Sequence, residues 1–298
     1  MIRTEDIQIR DPFILPRSEE GAYYLFGSTD RDIWRADGTG FDCYRSADLA
    51  SWEGPFPAFR PPRGFWATVN FWAPEAHGHR GRFHLFASFK APERYRGTQV
   101  LASDRPEGPY VPLSDGPVTP PDWECLDGTL HVDGTGRPWI VFCQEWVQIH
   151  NGAMWAMPLS DNLSRAAGRP VFLFNASEAP WVRRLSLAEG DPRSRFPCYV
   201  TDGPFLHRAA DGSLLMLWSS MGEAGYAMGI AHSGSGSVLG PWVQEREPLW
   251  GRDGGHGMVF RAFDGRLYMS LHTPNKSPLE RAVFVPLEER DGTLRRVG

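Results

Sequence analysis

The fold is decided by the stretch Asp127-Gly128-Thr129-Leu130-His131-Val132-Asp133-Gly134, which is followed by Arg137-Pro138-Trp139-Ile140-Val141-Phe142-Cys143. An Asp precedes a short alternating strand, an Asp-Gly turn follows, and a second apolar strand comes next, which is the pattern of a β-hairpin. The same pattern recurs at four other places, and the positions equivalent to Asp127 are Asp11, Ala73, Asp202 and His256. The chain is therefore predicted to contain one structural unit five times.

The spacing of these units predicts the architecture. Successive equivalent positions are 62, 54, 75 and 54 residues apart, and each unit holds three or four short strands. Repeats of that size are typical of propeller blades, so we predict an all-β, five-bladed β-propeller that forms one domain over residues 1–298. An insert between Phe174 and Pro197 lengthens the third spacing and is expected to form a loop at the rim of a pocket. A two-sheet sandwich is the alternative.

Composition excludes several classes of function. The net charge of −5 and the pI of about 6.0 leave no basic patch for nucleic acid. The four cysteines form no CxxC pair, so buried free thiols are expected. No apolar run of about 18 residues is present, and the N-terminal residues lack the apolar core of a signal peptide. We therefore expect a cytoplasmic protein with no membrane partner.

The repeat brings acidic residues together. The first strand of every blade lines the propeller axis, so equivalent positions at its start converge on one end of the channel. Asp11, Asp127 and Asp202 are predicted to meet there, beside His256. Taken singly, Asp-Gly and Asp-Pro are common turn dipeptides. Three converging carboxyls raise one another's pKa values, and such a destabilising cluster indicates a functional site.

Five short motifs resemble the ordered blade motifs of glycoside hydrolase family 43 over nearly the whole chain. The motifs are Ile9-Arg10-Asp11-Pro12-Phe13-Ile14, Phe71-Trp72-Ala73-Pro74-Glu75, Leu126-Asp127-Gly128-Thr129, Thr201-Asp202-Gly203-Pro204-Phe205 and Gly254-Gly255-His256-Gly257. This resemblance implies a five-bladed propeller that hydrolyses arabinofuranosides, xylosides or related pentose and galactose linkages with inversion. An oligosaccharide with a terminal pentose is the substrate that it implies.

The resemblance also implies roles for the acids. Asp11 would be the general base that deprotonates water, and Asp127 would orient the general acid and tune its pKa. The family has Glu before the Gly-Pro of the fourth blade, whereas this chain has the shorter Asp202. Either Asp202 is the acid, or Glu145 or Glu178 supplies the proton, or the site does not hydrolyse. Both glutamates lie beside tryptophans, although they also fit exposed loop positions.

Further residues are candidates for substrate binding. Sugar rings stack on aromatic planes, and blade packing is the alternative for each tryptophan. The aromatic candidates are Trp34, Trp66, Trp72, Trp146 and Trp181, and the polar ones are Arg10, Arg31, Arg261, Glu75, His77 and His256. The resemblance also allows a structural calcium on the propeller axis near His256, although no EF-hand spacing occurs. A hydrogen-bonded core histidine is the alternative.

Three other functions compete with inverting hydrolysis. A retaining enzyme related to invertases would open with Asn-Asp-Pro, but this chain has Arg10 in place of the Asn. A glycoside phosphorylase would need several basic residues converging on the pocket. A carbohydrate-binding propeller without turnover is the third alternative, and the short side chain of Asp202 motivates it.

Overall fold

The computed structural model describes residues 1–297, and it confirms the all-β, five-bladed β-propeller. Each blade is one antiparallel sheet with its strands in chain order, and the first blade gains the N-terminal strand β1 at its outer edge. The strands of the first two blades are β1 (Ile2–Arg3), β2 (Arg10–Arg17), β3 (Ala22–Ser28), β4 (Phe41–Ser46), β5 (Ser51–Phe59), β6 (Val69–His79), β7 (Arg82–Ala91), β8 (Arg94–Ser103) and β9 (Val111–Pro112).

The other three blades follow the same order. The third contains one short helix, α1, between its second and third strands. The elements are β10 (Cys125–Val132), β11 (Pro138–Gln144), α1 (Trp146–Ile149), β12 (Ala153–Pro158), β13 (Val171–Asn175), β14 (Asp202–Arg208), β15 (Leu214–Gly222), β16 (Gly225–Ser233), β17 (Trp242–Gln244), β18 (Gly255–Arg261), β19 (Leu267–Thr273), β20 (Arg281–Arg290) and β21 (Thr293–Arg296).

The first strands of the blades form a closed ring around the axis, in which each contacts the next: β2 with β6, β6 with β10, β10 with β14, β14 with β18, and β18 with β2. Second strands such as β11 are buried along their whole length. A strand covered on both faces needs a continuous apolar sequence, which explains the run from Pro138 to Cys143. Large side chains between the blades, such as Trp52 and Trp218, are fully buried.

All four cysteines are buried and unpaired, as expected. Among residues 1–297, no helix combines the length and apolar character required to cross a bilayer.

Candidate active site

Every first strand carries a one-residue bulge near its start. Two residues of the strand face one residue of the second strand at this point, and the first of the two has a positive φ in each blade. These residues are Asp11 (56°), Ala73 (46°), Asp127 (55°), Gly203 (48°) and His256 (50°). Bulges of this kind redirect side chains and are frequent beside active sites.

The bulges show that one of the five positions predicted to be equivalent, Asp202, is shifted by one residue. Asp202 does not match Asp11, because the bulge of the fourth blade begins one residue later, at Gly203. Asp202 pairs with Ser219 on β15, just as Arg10 pairs with Ser28 on β3. Asp202 therefore occupies the position of Arg10 and Trp72, one residue before the bulge.

A hydrogen bond joins each bulge to the blade before it. In four blades the bulge residue donates its backbone N–H to a buried side chain in the C-terminal part of the preceding second strand. The four bonds are Ala73 to Ser28 Oγ (2.9 Å), Asp127 to Ser88 Oγ (2.8 Å), His256 to Ser219 Oγ (2.8 Å) and Asp11 to His272 Nδ1 (3.2 Å). The third blade has Cys143 at this place, and Gly203 N–H donates instead to Asp127 Oδ2 at 3.1 Å. The bulge residues are thus held in a ring.

Each blade contributes the bulge residue, the residue before it, or both to the wall of one cavity of about 380 Å³ at the end of the channel. Asp11, Asp127 and Asp202 all face it, so the predicted convergence of the three acids is confirmed. His256 and Arg10 also line the cavity, as do two of the candidate tryptophans, Trp72 and Trp146. The further lining residues are Ile33, Trp34, Arg96, Leu126, Glu145, Val147, Leu185, Val200, Met221, Tyr226, Asn275 and Ser277. Leu185 belongs to the insert that was expected at the rim.

Asp11 is held as an anion. Its Oδ2 accepts a hydrogen bond from Ser28 Oγ at 2.8 Å, and its Oδ1 lies 3.2 Å from His256 Nδ1 and 3.7 Å from Arg10 Nε. Burial works to raise the pKa of Asp11, but the charges of His256 and Arg10 hold this pKa below its ordinary value. Asp11 is therefore a carboxylate near neutral pH.

Asp127 lies beside Asp11 in a different electrostatic environment. Its Oδ2 accepts the Gly203 N–H and lies 3.7 Å from His256 Nδ1. Burial and the neighbouring negative charge of Asp11 raise the pKa of Asp127 well above its ordinary value. The pKa values of Asp11 and Asp127 are therefore shifted in opposite directions, although both carboxyls face the same cavity.

Asp202 has the pKa of a group that can give up a proton near neutral pH. Enclosure in the cavity and the charge of Asp127 raise the pKa of Asp202 to about 7. Tyr226 is buried in the cavity wall, and its hydroxyl donates to Asp202 Oδ2 at 3.0 Å. The ring of Tyr226 stacks on the ring of His272, and His272 Nδ1 accepts a hydrogen bond from the Asp11 backbone N–H. Tyr226 and His272 therefore form a continuous set of contacts from Asp202 to Asp11.

The two candidate glutamates lie in different places. Glu145 lines the cavity and forms a buried ion pair with Arg96, whose guanidinium lies 4.2 Å from the ring centre of Trp72. Glu178 is exposed, and its Oε1 accepts the Asn175 N–H at 2.7 Å in a capping box. The prediction that Glu178 reaches the site is wrong, because its carboxyl caps a short 3-10 helix outside the cavity.

Glu75 is a second candidate that lies outside the cavity wall. The bulge at Ala73 places Glu75 two residues farther along β6, where it pairs with Phe86 on β7. Its buried carboxyl contacts His77 Nε2 at 3.0 Å. The prediction that Glu75 binds substrate directly is therefore wrong, although its charge acts on Asp127 and contributes to the raised pKa of that acid.

The calcium implied near His256 stays a prediction, and the surroundings of this histidine bear on it. Calcium takes six to eight oxygen ligands. Within residues 1–297, no group of three His, Cys, Asp or Glu side chains is arranged to hold a metal ion. The Nδ1 of His256 faces two carboxyls, and its buried Nε2 has no hydrogen-bond partner in the described chain. These contacts support a histidine that organises the acids.

Sequence reasoning missed several residues of the site, among them Tyr226, Arg96 and His272. Arg96 and Tyr226 lie near the starts of third strands, β8 and β16. In an antiparallel blade the first strand begins, the second ends and the third begins at the same end. The starts of third strands were therefore a usable signal for residues of the cavity.

The chain is similar to known proteins over almost its whole length. The family model "Glycosyl hydrolases family 43" matches residues 6–293. A solved endo-arabinase from Bacteroides thetaiotaomicron VPI-5482 is 41% identical, with a TM-score of 0.89 and 98% of both chains covered. A solved endo-1,4-beta-xylanase from the same organism is 24% identical, with a TM-score of 0.76, 100% of this chain and 97% of that chain covered, and shows the shared fold.

A curated relative has a lower identity. The extracellular exo-alpha-(1->5)-L-arabinofuranosidase ArbA of Cellvibrio japonicus (strain Ueda107) is 22% identical over 304 residues, which are 90% of this chain and 79% of the relative. The family match spans almost the whole propeller, including all five bulges and the three cavity acids. This chain therefore belongs to glycosyl hydrolase family 43 and is a glycosidase.

Proposed function

We propose that this protein hydrolyses α-1,5-linked arabinofuranosyl oligosaccharides with inversion of the anomeric carbon. The 41% identity to a solved endo-arabinase and the match to an exo-α-(1→5)-L-arabinofuranosidase support arabinose as the sugar. One observation carries the mechanism: three carboxyls share one cavity, and their surroundings drive the pKa values of Asp11 and Asp202 in opposite directions. Two carboxyls whose pKa values are driven apart in this way can act as a general base and a general acid at the same pH.

In this mechanism Asp11 is the general base and Asp202 the general acid. The anionic Asp11 removes a proton from water as the oxygen attacks the anomeric carbon, while the protonated Asp202 gives its proton to the departing glycosidic oxygen. Asp127 and His256 hold these two groups in place. After one turnover Asp11 carries a proton and Asp202 is an anion, and exchange with solvent restores both.

The contacts favour Asp202 over Glu145 as the acid. Burial raises the pKa of Glu145 above its ordinary value, but its carboxylate is paired with Arg96, whose positive charge opposes this rise and whose guanidinium occupies the carboxylate. Asp202 receives one hydrogen bond, at Oδ2, from Tyr226. Its Oδ1 is then available to carry a proton toward the substrate. The position before the bulge brings the Asp202 side chain into the cavity wall.

The competing reactions differ from this proposal in their requirements. A phosphorylase would need free positive charge in the cavity. The two arginines that line it, Arg10 and Arg96, each pair with a glutamate, Glu280 and Glu145 respectively. A retaining enzyme would release the product with the same anomeric configuration as the substrate. NMR of the first product formed therefore distinguishes the inverting from the retaining reaction, and phosphate dependence tests the phosphorylase.

The test uses the wild type and four variants on aryl pentosides with good and poor leaving groups, and on α-1,5-arabino-oligosaccharides. We expect Asp11→Asn to lower kcat on all substrates by about 10²–10⁴-fold. Asp202→Asn should lose as much on the oligosaccharides but far less on a dinitrophenyl arabinofuranoside, which needs no proton to leave.

Two glutamate variants complete this test. Glu145→Gln should not show the dependence on leaving group expected for Asp202→Asn, because Glu145 is not assigned proton transfer. Glu178→Gln should keep wild-type turnover, since that residue only caps a short helix. Wild-type turnover in Asp11→Asn, or leaving-group dependence in Glu145→Gln instead of Asp202→Asn, would contradict the assigned roles.

A further inference from the structure

A second cavity lies beside the catalytic one. It has a volume of about 640 Å³ and shares two of its lining residues, Trp34 and Ser277, with the catalytic cavity. The Trp34 indole N–H donates to Ser277 Oγ at 3.3 Å, so the two residues join across the boundary. The other lining residues are Asp30, Arg31, Asp32, Arg35, Ala36, Asp37, Thr39 and Pro278. The two cavities therefore meet at one shared wall.

Trp34 offers an aromatic surface at this wall. Its side chain is 50% exposed, although its position is fixed on several sides. The ring packs edge-on against Trp72 with 5.1 Å between the centres, and the Arg10 guanidinium lies 5.2 Å from its centre. The Asp32 carboxylate also accepts the Trp34 backbone N–H. A fixed, exposed indole is suited to stacking on the C–H face of a sugar ring.

The second cavity also offers free hydrogen-bonding groups. Arg31 and Arg35 are exposed, and neither guanidinium makes an ion pair or side-chain hydrogen bond within residues 1–297. The carboxylate of Asp37 lies on the same lining. Donors and acceptors around an aromatic plane match a neutral ligand with many hydroxyl groups, because each hydroxyl both donates and accepts.

We infer that this second cavity binds further sugar units of the same chain that is cleaved in the catalytic cavity. Trp34 would lie between the sugar at the catalytic acids and the next units. This inference rests on the proposed function. It predicts that kcat/KM depends on the length of the substrate, because longer oligosaccharides fill both cavities, whereas a short glycoside fills only the catalytic one.

The experiment compares the wild type with the double variant Arg31→Ala/Arg35→Ala. The probes are an aryl α-L-arabinofuranoside and α-1,5-arabino-oligosaccharides of two to six units. Wild-type kcat/KM should rise with length, and the double variant should lose about tenfold or more of that gain, the size expected for hydrogen bonds from charged groups. The exposed Arg169 lies outside both cavities, so Arg169→Ala should match the wild type at every length.

Two measurements separate this inference from the proposed function. Hydrolysis of none of these pentosides by the wild type would contradict the proposed function. Calorimetry with arabinohexaose tests the second cavity independently, since tighter binding by the wild type than by the double variant supports it without turnover. Equal binding by both proteins, no binding by either, or a loss of kcat/KM that is the same at all lengths would overturn the inference.

Discussion

At the scale of single residues, the opposed pKa values of Asp11 and Asp202 determine how activity depends on pH. Asp202 must be protonated to act as the acid, so activity is present below its pKa of about 7 and falls above it. Asp11 must be anionic to act as the base. Its pKa is lowered from the ordinary value of 3.8, so activity should be lost on the acidic side only below about pH 3.8. We expect a bell-shaped profile of kcat/KM, measured from pH 3 to 10. Constant activity from pH 6 to 9 would contradict the assignment of Asp202.

Tyr226 is predicted to position Asp202 and to set the alkaline limb of this profile. Its hydroxyl bond to Asp202 Oδ2 favours the carboxylate and lowers the pKa of that acid. In Tyr226→Phe this pKa should rise, so the alkaline limb should move to higher pH while kcat falls about tenfold. A fall in kcat with an unmoved limb would indicate a packing role only.

Asp202 should also make the native state less stable at alkaline pH. Its pKa is raised from 3.8 to about 7, so its contribution to stability is present below the unfolded value and is lost as the pH rises toward 7. Asp202→Asn should therefore raise the free energy of unfolding at pH 8 by roughly 2 kcal/mol, about half the full linkage, because solvent in the cavity screens the group. Denaturant unfolding at pH 8 and pH 4 checks this, and equal changes at both values would contradict it.

At the scale of elements, the bulge of β14 needs a glycine for reasons of space. A Cβ on Gly203 would lie 2.7 Å from two atoms of the His256 ring. The positive φ alone is tolerated, since Ala73 occupies the same conformation in the second blade. Gly203→Ala should therefore displace His256, lowering kcat about 100-fold and stability by about 1–3 kcal/mol.

Gly212→Ala is the matched control for this change. Gly212 also has a positive φ, but a Cβ there would meet no atom within 4 Å. It should cost about 1 kcal/mol and leave kcat unchanged. Activity assays and thermal unfolding of both variants make the comparison. Equal effects of the two substitutions would show that backbone strain, and not contact with His256, is decisive.

The same bulge explains where sequence reasoning was accurate and where it was wrong by one residue. The Asp-Gly-Pro of the fourth blade resembles the other motifs, so Asp202 was aligned with Asp11 and Asp127. The bulge, however, begins at the residue with a positive φ, which here is Gly203. Residue type alone does not reveal that choice, because Asp, Ala, Gly and His all occupy the bulge position. The prediction for Glu178 was wrong because a nearby tryptophan does not distinguish a site acid from the third residue of a capping box, which is the position that Glu178 occupies after Asn175.

At the scale of the whole molecule, the five repeats made the ring predictable, and the ring determined which distant residues meet. The contacts between blades were less predictable. Ser28, Ser88 and Ser219 each lie in the C-terminal part of a second strand, a repetition visible in the sequence, but His272 replaces the serine in the fifth blade and Cys143 in the third. Tyr226 and Arg96 reach the cavity from third strands, which carry no local motif.

The hydrogen bonds between blades should contribute to the stability of the whole ring. Ser219→Ala removes the acceptor of the buried His256 N–H, and an unsatisfied buried amide costs about 1–3 kcal/mol. We expect one cooperative transition at lower denaturant concentration, because first strands contact each other around the complete ring. Ser18→Ala, at an exposed position, should change stability by less than about 0.5 kcal/mol. A separate early transition in Ser219→Ala would mean that blades unfold independently.

The ring of bulges has a consequence for how this scaffold diversifies. Four bulges are anchored by a bond from their main-chain nitrogen to a second-strand side chain, and these bonds do not use the bulge residue's own side chain. The fifth anchor, at Gly203, depends on the side chain of Asp127. Acidic, aliphatic, imidazole and hydrogen substituents already occur at the five places. Side chains at these positions can therefore change during evolution without loss of the backbone geometry, provided that neighbours across the axis leave room. New catalytic groups can arise there while the propeller stays the same.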